Sequence, residues 1–273
     1  MNRLKEPIVT KETFRAMEDM SYFIYARIFD DLLIVAQRET NCFVLKTSEG
    51  LIVIDAIWPA REAFEAIVAA VRETGWDPDT IRKLVITHGH ADHTGCGKWF
   101  VDQYHVDTYL SAVDDEFWEK YPVKPDRPET WKNYRITVPV QDGDTISLGD
   151  KTIEVYGTPG RTPGGLSYIF PVKEDGKPHM AALWGGTTPP WKRHQVIQYL
   201  RSLDYFTGRA NDRKADVALS NHTAIDNGLE RILYSRARMD YMPNIYVIGQ
   251  EGVQRYFHVF RTMSYERLEQ AAE

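Results

Sequence analysis

"KLVITHGHADHTG", residues 83–95, decides how the chain is read. A short apolar run, Leu84 to Ile86, gives way to three histidines and an aspartate within six positions: His88, His90, Asp92 and His93. The apolar run has the composition of a buried strand. The polar cluster therefore sits in the loop leaving a strand's carboxyl end, where α/β folds place ligands. His88 and His90 are two apart, so in extended backbone they point the same way. Asp92 and His93 follow at the next turn, at a helix start, aimed at a second point. Imidazole and carboxylate suit zinc, and also iron, nickel or manganese. Two ligand pairs side by side suggest two metals, roughly 3.5 to 4 Å apart as in dinuclear metal sites generally. The plain alternative is a polar loop without metal. It suits lone histidines better than four ligand side chains at HxHxDH spacing.

Upstream, "YARIF", "LLIVA", "CFVLKT" and "LIVIDA" are β-branched runs separated by turn signals. The period then changes. In "REAFEAIVAAVRETG", Phe64, Ile67, Val68 and Val71 recur at i, i+3, i+4 and i+7, which predicts an amphipathic helix stopped by Gly75. Downstream, "TGCGKWFVDQY" and "SAVDDEFWEKY" read as helices around a strand, "DTYL". Strands return with "YRITVPV", "TISLG", "KTIEVYG", "LSYIFPV" and "HMAALWG". "VIQYLRSLDYF" is helical, "DVALSN" is a strand, and "NGLERILYSRAR" and "GVQRYFHVFRTM" are helices. This order predicts a layered α/β architecture with helices outside the sheets. Residues 122–134, "PVKPDRPETWKNY", read as an irregular loop or lid. The expected organisation is one domain over residues 1–273.

Composition narrows the function classes. The 273 residues are 43% hydrophobic and 26% charged, an ordinary globular balance. The net charge of -6 comes without a basic block, so no nucleic-acid partner is expected. No apolar run reaches the roughly 18 residues of a membrane span, and the first residues show no apolar signal core. Cys42 and Cys96 form no disulfide framework or zinc-finger pattern. The expectation is a cytoplasmic protein with reduced thiols and a small-molecule substrate. Val253, Tyr256, Phe257 and Phe260 share one helical face that serves either the core or a homo-oligomer interface.

"THGHADHTG" resembles the signature of the metallo-β-lactamase superfamily. "FVLKTSEGLIVIDA" is similar to its early strand pair ending in a structural aspartate, here Asp55. "YGTPGRTPGGLSYIF" resembles its "TPGHTPGS" loop, and "ALSNHTAID" its last ligand loop, with His222. The resemblance implies an αββα sandwich of two mixed sheets flanked by helices, with the site at one edge between the sheets. It also implies metal-activated water attacking a carbonyl, ester or phosphoester. The third subclass of metallo-β-lactamases is nearest, because it places Asp92, His93 and a late histidine on one metal without a cysteine. Many other branches use a bridging aspartate where this chain has "LWGGTTPP", with Gly185 and Gly186.

One departure matters. Where the family has a histidine completing the first metal site, this chain has Arg161. Arginine stays protonated, offers no lone pair and repels a cation. His88 and His90 alone make a poor zinc site, because a catalytic zinc keeps three protein ligands. Asp92, His93 and His222 supply three. The expectation is therefore one tightly bound zinc, or another divalent transition metal, with the second site weak or empty. Arg161 reads either as a fixed cation for a carboxylate, phosphate or oxyanion, or as a plain arginine of a Pro-Gly loop. His194, between the Gly185-Gly186 turn and His222, is the first candidate to replace the missing ligand, although a solvated helix start is its plainer reading. Cys96 reads as packing, and Trp58, Trp99, Trp184 and Trp191 as pocket walls or core.

The functional expectation is a metal-dependent hydrolase acting on a β-lactam, lactone, ester or cyclic amide, with Asp92 as catalytic residue. The alternative is a degenerate relative that binds a small anion without hydrolysis. A nuclease or phosphodiesterase fits less well, given the missing bridging aspartate and basic surface.

Overall fold

The computed structural model describes residue 19, residues 21–120 and residues 133–271. Most of the candidate lid, residues 122–132, lies outside the described residues. Tyr134, at its end, is buried and donates its hydroxyl hydrogen to Thr94 O at 2.9 Å.

Two sheets form. The first contains β1 (Ile24–Phe29), β2 (Leu32–Gln37), β3 (Thr40–Thr47), β4 (Gly50–Ile54), β5 (Ile81–Val85), β6 (Asp107–Leu110) and β7 (Val138–Pro139), in that spatial order. β1 to β4 pair antiparallel, and β4 to β7 run parallel. The second contains β8 (Thr145–Leu148), β9 (Lys151–Gly157), β10 (Leu166–Glu174), β11 (Lys177–Trp184) and β12 (Val217–Ser220), with β8 and β12 at the edges. Only β11 and β12 are parallel there. The "YRITVPV" strand is shorter than its sequence suggests. It holds two paired residues on the sheet edge, and Pro139 has no N–H to extend the ladder.

Seven α-helices complete the described residues: α1 (Arg61–Glu73), α2 (Ala91–Thr94), α3 (Gly97–Tyr104), α4 (Ala112–Lys120), α5 (Arg193–Asp212), α6 (Gly228–Ala237) and α7 (Gly249–Gln270). The apolar stripe of α1 is buried as its period requires, and Gly75 ends the helix with φ of 78°. Strands that are apolar at every position need both faces covered. β2 shows why: Ile34 points into the space between the sheets with Phe43, Tyr168, Phe170 and Leu183. Leu33 and Val35 point outward, against Phe64, Ile67 and Phe100. On the far side, Ile169, Ala182 and Trp184 of the second sheet pack on Tyr199 and Phe206 of α5 and Phe257 of α7. Four layers result, α/β/β/α. The apolar face of α7 is therefore core: Val253, Phe257 and Phe260 are buried and Tyr256 is partly so.

Phe257 meets Phe206 edge-on, with centroids 5.5 Å apart. Its replacement by alanine leaves a cavity between helix and sheet and is expected to destabilise the fold by about 3–5 kcal/mol. Tyr241, 82% exposed, is the control. Its alanine variant should stay within about 0.5 kcal/mol of the native chain. Urea unfolding followed by circular dichroism measures both.

Candidate metal centre

The site begins one residue past β4. Asp55 adopts φ of 62° and Ile57 φ of 49°, a left-handed kink that non-glycine residues hold only when their surroundings impose it. The constraint is visible. The Asp55 N–H donates to Val85 O at 2.8 Å. Its carboxylate, 1% exposed, accepts the Thr87 N–H at 2.8 Å and the Thr87 hydroxyl at 2.8 Å. It also lies 2.8 Å from His93 Nδ1 and 3.3 Å from Asn221 Nδ2. A buried carboxylate needs such partners. Here they join β4, the loop after β5, α2 and the loop after β12 at one point. The His93 Nδ1 proton is thereby directed at Asp55, which leaves Nε2 facing the opposite way.

His93 Nε2 lies 3.2 Å from His222 Nε2 and 3.4 Å from Asp92 Oδ2, and His222 Nε2 lies 3.7 Å from Asp92 Oδ2. His222 Nδ1 is 3.1 Å from Glu39 O, to which it donates, so its Nε2 also carries a lone pair. Two lone pairs and a carboxylate oxygen thus converge, which is repulsive unless a proton or a cation lies among them. Zinc bonds of about 2.0–2.1 Å at tetrahedral angles separate ligand atoms by about 3.4 Å. The observed spacings fit. Among the described residues Asp92, His93 and His222 are the one group of three side chains with this capacity.

The charges agree with the geometry. Burial pushes His93 down, but the Asp92 and Asp55 carboxylates outweigh it and raise the imidazole to about 9. Burial and then the His93 charge lower His222 to about 4. Burial pushes Asp92 up, yet His93 and His222 hold it well below the usual carboxylate range. Without an ion, one proton therefore rests on the cluster, on His93.

His88 and His90 lie beside this group and do not complete a second one. His88 is 1% exposed. Its Nδ1 lies 3.1 Å from Thr87 Oγ1, and its buried Nε2 has no partner among the described residues. The His90 ring packs edge-on against His88, with centroids 4.9 Å apart, and against Phe117. Burial, with the His93, His90 and Arg161 charges behind it, keeps His88 well below its ordinary value. Burial and then the Arg161 guanidinium lower His90 to about 3. Both imidazoles are neutral. Arg161 is partly buried, its Nε is shielded from water, and its charge acts on His88, His90 and His222 together.

Three functional residues escape sequence reasoning. Asp114 on α4 is fully buried and accepts the Gly89 N–H at 2.8 Å, the Thr162 hydroxyl at 2.6 Å and the Gly164 N–H at 2.6 Å. It thus ties the His88–His90 loop to the Arg161 loop. Its one sequence signal is the Ser-x-x-Asp of a helix start: Ser111 Oγ accepts the Asp114 N–H at 3.0 Å. Thr87 and Asn221 border recognised ligands but look like filler in sequence. In the structure Asn221 Nδ2 donates to Thr87 Oγ1 at 3.1 Å and to Gly185 O at 3.0 Å. His194 is exposed in the first turn of α5, away from any ligand group. Trp184 is core and donates to the Tyr199 hydroxyl at 2.8 Å, Trp191 is 68% exposed, and Cys96 is buried packing at the start of α3.

An ion entering the cluster displaces the His93 proton. Metal affinity should therefore rise with pH, by up to tenfold per unit, until about pH 9, where the proton is already lost. The metal-free fold has the opposite dependence. The folded His93 value lies above the ordinary 6.5, so its stabilisation is complete below about pH 6.5 and lost as pH rises through about 9. Chelator competition at several pH values, with urea unfolding of the stripped protein, measures both. Asp55→Asn removes the orienting charge and should lower metal affinity by about 10–100-fold in the same titration.

Comparison with known proteins follows the same lines. Residues 35–174, over half of the chain, match the sequence pattern of the Metallo-beta-lactamase superfamily. A hydroxyacylglutathione hydrolase of Mesorhizobium japonicum is 34% identical over 108 residues, which cover 40% of this chain and 35% of that protein. The N-acyl homoserine lactonase AttM of Agrobacterium fabrum is 25% identical over 121 residues, 43% of this chain and 46% of that one. The matched stretch thus spans between a third and a half of these relatives. A subclass B3 metallo-beta-lactamase of Bradyrhizobium japonicum superposes with a TM-score of 0.77 at 23% identity, covering 93% of this chain and 97% of its own. A metallo-beta-lactamase of Elizabethkingia meningoseptica gives 0.73 at 19% identity, with 99% of both chains covered. These structures share the sandwich of two mixed sheets between helices. With the pattern matched across the strands, the ligand loop and the arginine loop, the chain belongs to the metallo-beta-lactamase superfamily.

Proposed function

We propose that the chain is a metal-dependent hydrolase that cleaves a carbonyl-type bond, in a lactone, thioester, ester or cyclic amide, with water. The observation that carries this reading is the convergence of His93 Nε2, His222 Nε2 and Asp92 Oδ2 within 3.7 Å of one another. These residues would hold a zinc or similar divalent ion. When bound, such an ion supplies a Lewis acid and acidifies water to about pKa 7.

The remaining work falls to the chain. Asp55 keeps the His93 lone pair aimed at the cluster, and Glu39 O does the same for His222. Asp92, 17% exposed and held ionised, would accept a hydrogen bond from the attacking water and orient it toward the substrate. The similarity to a hydroxyacylglutathione hydrolase and an N-acyl homoserine lactonase supports carbonyl chemistry on a small molecule. Two unpaired, buried cysteines agree with a reducing cytoplasm. Among the described residues no helix is long and apolar enough to cross a membrane.

Elemental analysis of the purified chain should find about one divalent ion per molecule, because three ligands hold an ion and two do not. His93→Ala should lose that ion together with hydrolysis of a panel of lactones, thioesters and β-lactams. A native chain that holds no metal and hydrolyses none of the panel overturns the reading. Arg161→His restores a third ligand beside His88 and His90 and should raise the metal content from about one toward two. Replacing His88 should cost less metal than replacing His222. A native chain that already holds two ions tightly contradicts this account of Arg161.

A further inference from the structure

Arg161 leaves a loop that is fixed from both sides. Ser202 on α5 donates its hydroxyl hydrogen to Pro159 O at 2.7 Å. Asp114 takes the Thr162 hydroxyl and the Gly164 N–H, each at 2.6 Å. Between them, Gly160 has φ of 143° and lies so close to α5 that a Cβ would meet Tyr199 Cα at 2.6 Å. Only glycine fits both the backbone conformation and the gap. On the other flank, a Cβ on Gly186 would sit 3.4 Å from Arg161 Cβ. The base of the arginine thus lies beside Gly186, and the preceding Gly160 sits directly on the Tyr199 turn of α5. A mobile surface arginine has no such housing.

Its far end lacks what the housing leads one to expect. The buried Nε has no hydrogen-bond acceptor among the described residues, and Arg161 forms no ion pair there. A shielded guanidinium donor without an acceptor is costly. The neighbouring side chains His88 and His90 are imidazoles, which bring no anion of the protein to it. Asp92, the carboxylate of the neighbouring cluster, is engaged with His93 and His222. A planar guanidinium with free donors matches an oxyanion by two parallel hydrogen bonds.

We propose that Arg161 is a built-in anion subsite beside the Asp92–His93–His222 cluster, which selects substrates carrying a carboxylate or phosphate group. Asp114 is its positioning residue, since it holds the Arg161 loop and the His88–His90 loop at a fixed separation. The inference deepens the hydrolase reading and rests on it only in assigning the anion to a substrate.

The test is binding, read by isothermal titration calorimetry on the full chain with its metal content measured. Benzoate and phenyl phosphate are the probes. The native chain should bind at least one of them tenfold or more tightly than Arg161→Gln does, with Arg161→Lys in between because it keeps the charge and loses the fork. The probe that binds tells carboxylate from phosphate. Asp114→Asn should weaken the same probe while leaving the metal content unchanged. Circular dichroism checks that each variant is folded. If Arg161→Gln is not folded, the loss from native to Arg161→Lys carries the test. Equal affinity in native and variant, or no binding of either probe to the native chain, overturns the proposal. A metal-free native chain that still binds a probe through Arg161 sinks the hydrolase and leaves the subsite standing. An active metalloprotein whose probe binding ignores Arg161 does the reverse.

Discussion

The buried carboxylate of Asp55 is the constraint on which the rest of the centre depends. A carboxyl group with 1% exposure is tolerated only if its neighbours supply hydrogen bonds. Those neighbours are Thr87, His93 and Asn221, from three separate stretches of chain. Meeting the needs of one carboxylate therefore brings the ends of β4, β5 and β12 to the same edge of the sandwich. The left-handed conformation at Asp55 and Ile57 is the local strain that this arrangement sustains.

Asp114 repeats the device on the other side. Its acceptors take two backbone N–H groups and one hydroxyl, from the histidine loop and from the loop of Arg161. Burial raises Asp114, and hydrogen bonds from Thr162, Gly89 and Gly164 oppose that rise. Two buried carboxylates thus hold loops that would otherwise drift, one behind the cluster of three ligands and one behind the guanidinium. The result is a site whose halves differ in kind. One half concentrates lone pairs and negative charge around His93, and the other presents a positive charge, Arg161, that acts on His88 and His90.

The layers make this rigidity available. Strands apolar on both faces force helices onto the outside of each sheet, so the loops at the site edge spring from a core closed on all sides. Tyr168 on β10 donates its hydroxyl hydrogen to Ile86 O at 2.6 Å, and the Leu166 N–H donates to Thr87 O at 2.8 Å. These bonds cross from one sheet to the other just below the ligands. They fix the distance between the sheets where the chemistry is placed.

The sequence by itself determined the elements and the ligand types. Period-3.6 apolar spacing marked α1, and β-branched runs marked the strands. HxHxDH spacing marked a metal-binding loop, because few other roles bring four such side chains together. The arginine at 161 was legible as a departure because guanidinium has no lone pair. Local patterns carry this much, since helix periodicity and ligand chemistry are properties of neighbouring residues. Tertiary structure alone decided the rest. Asp114 lies more than twenty residues from His88 and nearly fifty from Thr162, and no local pattern shows that one carboxylate will serve both. The face of α7 could not be assigned to core or interface until α5 and the second sheet were seen to cover it. The resemblance grouped Asp92, His93 and His222, but that their ligand atoms lie within 3.7 Å of one another was decided by loops converging from distant strands, because sequence separation says nothing of that distance.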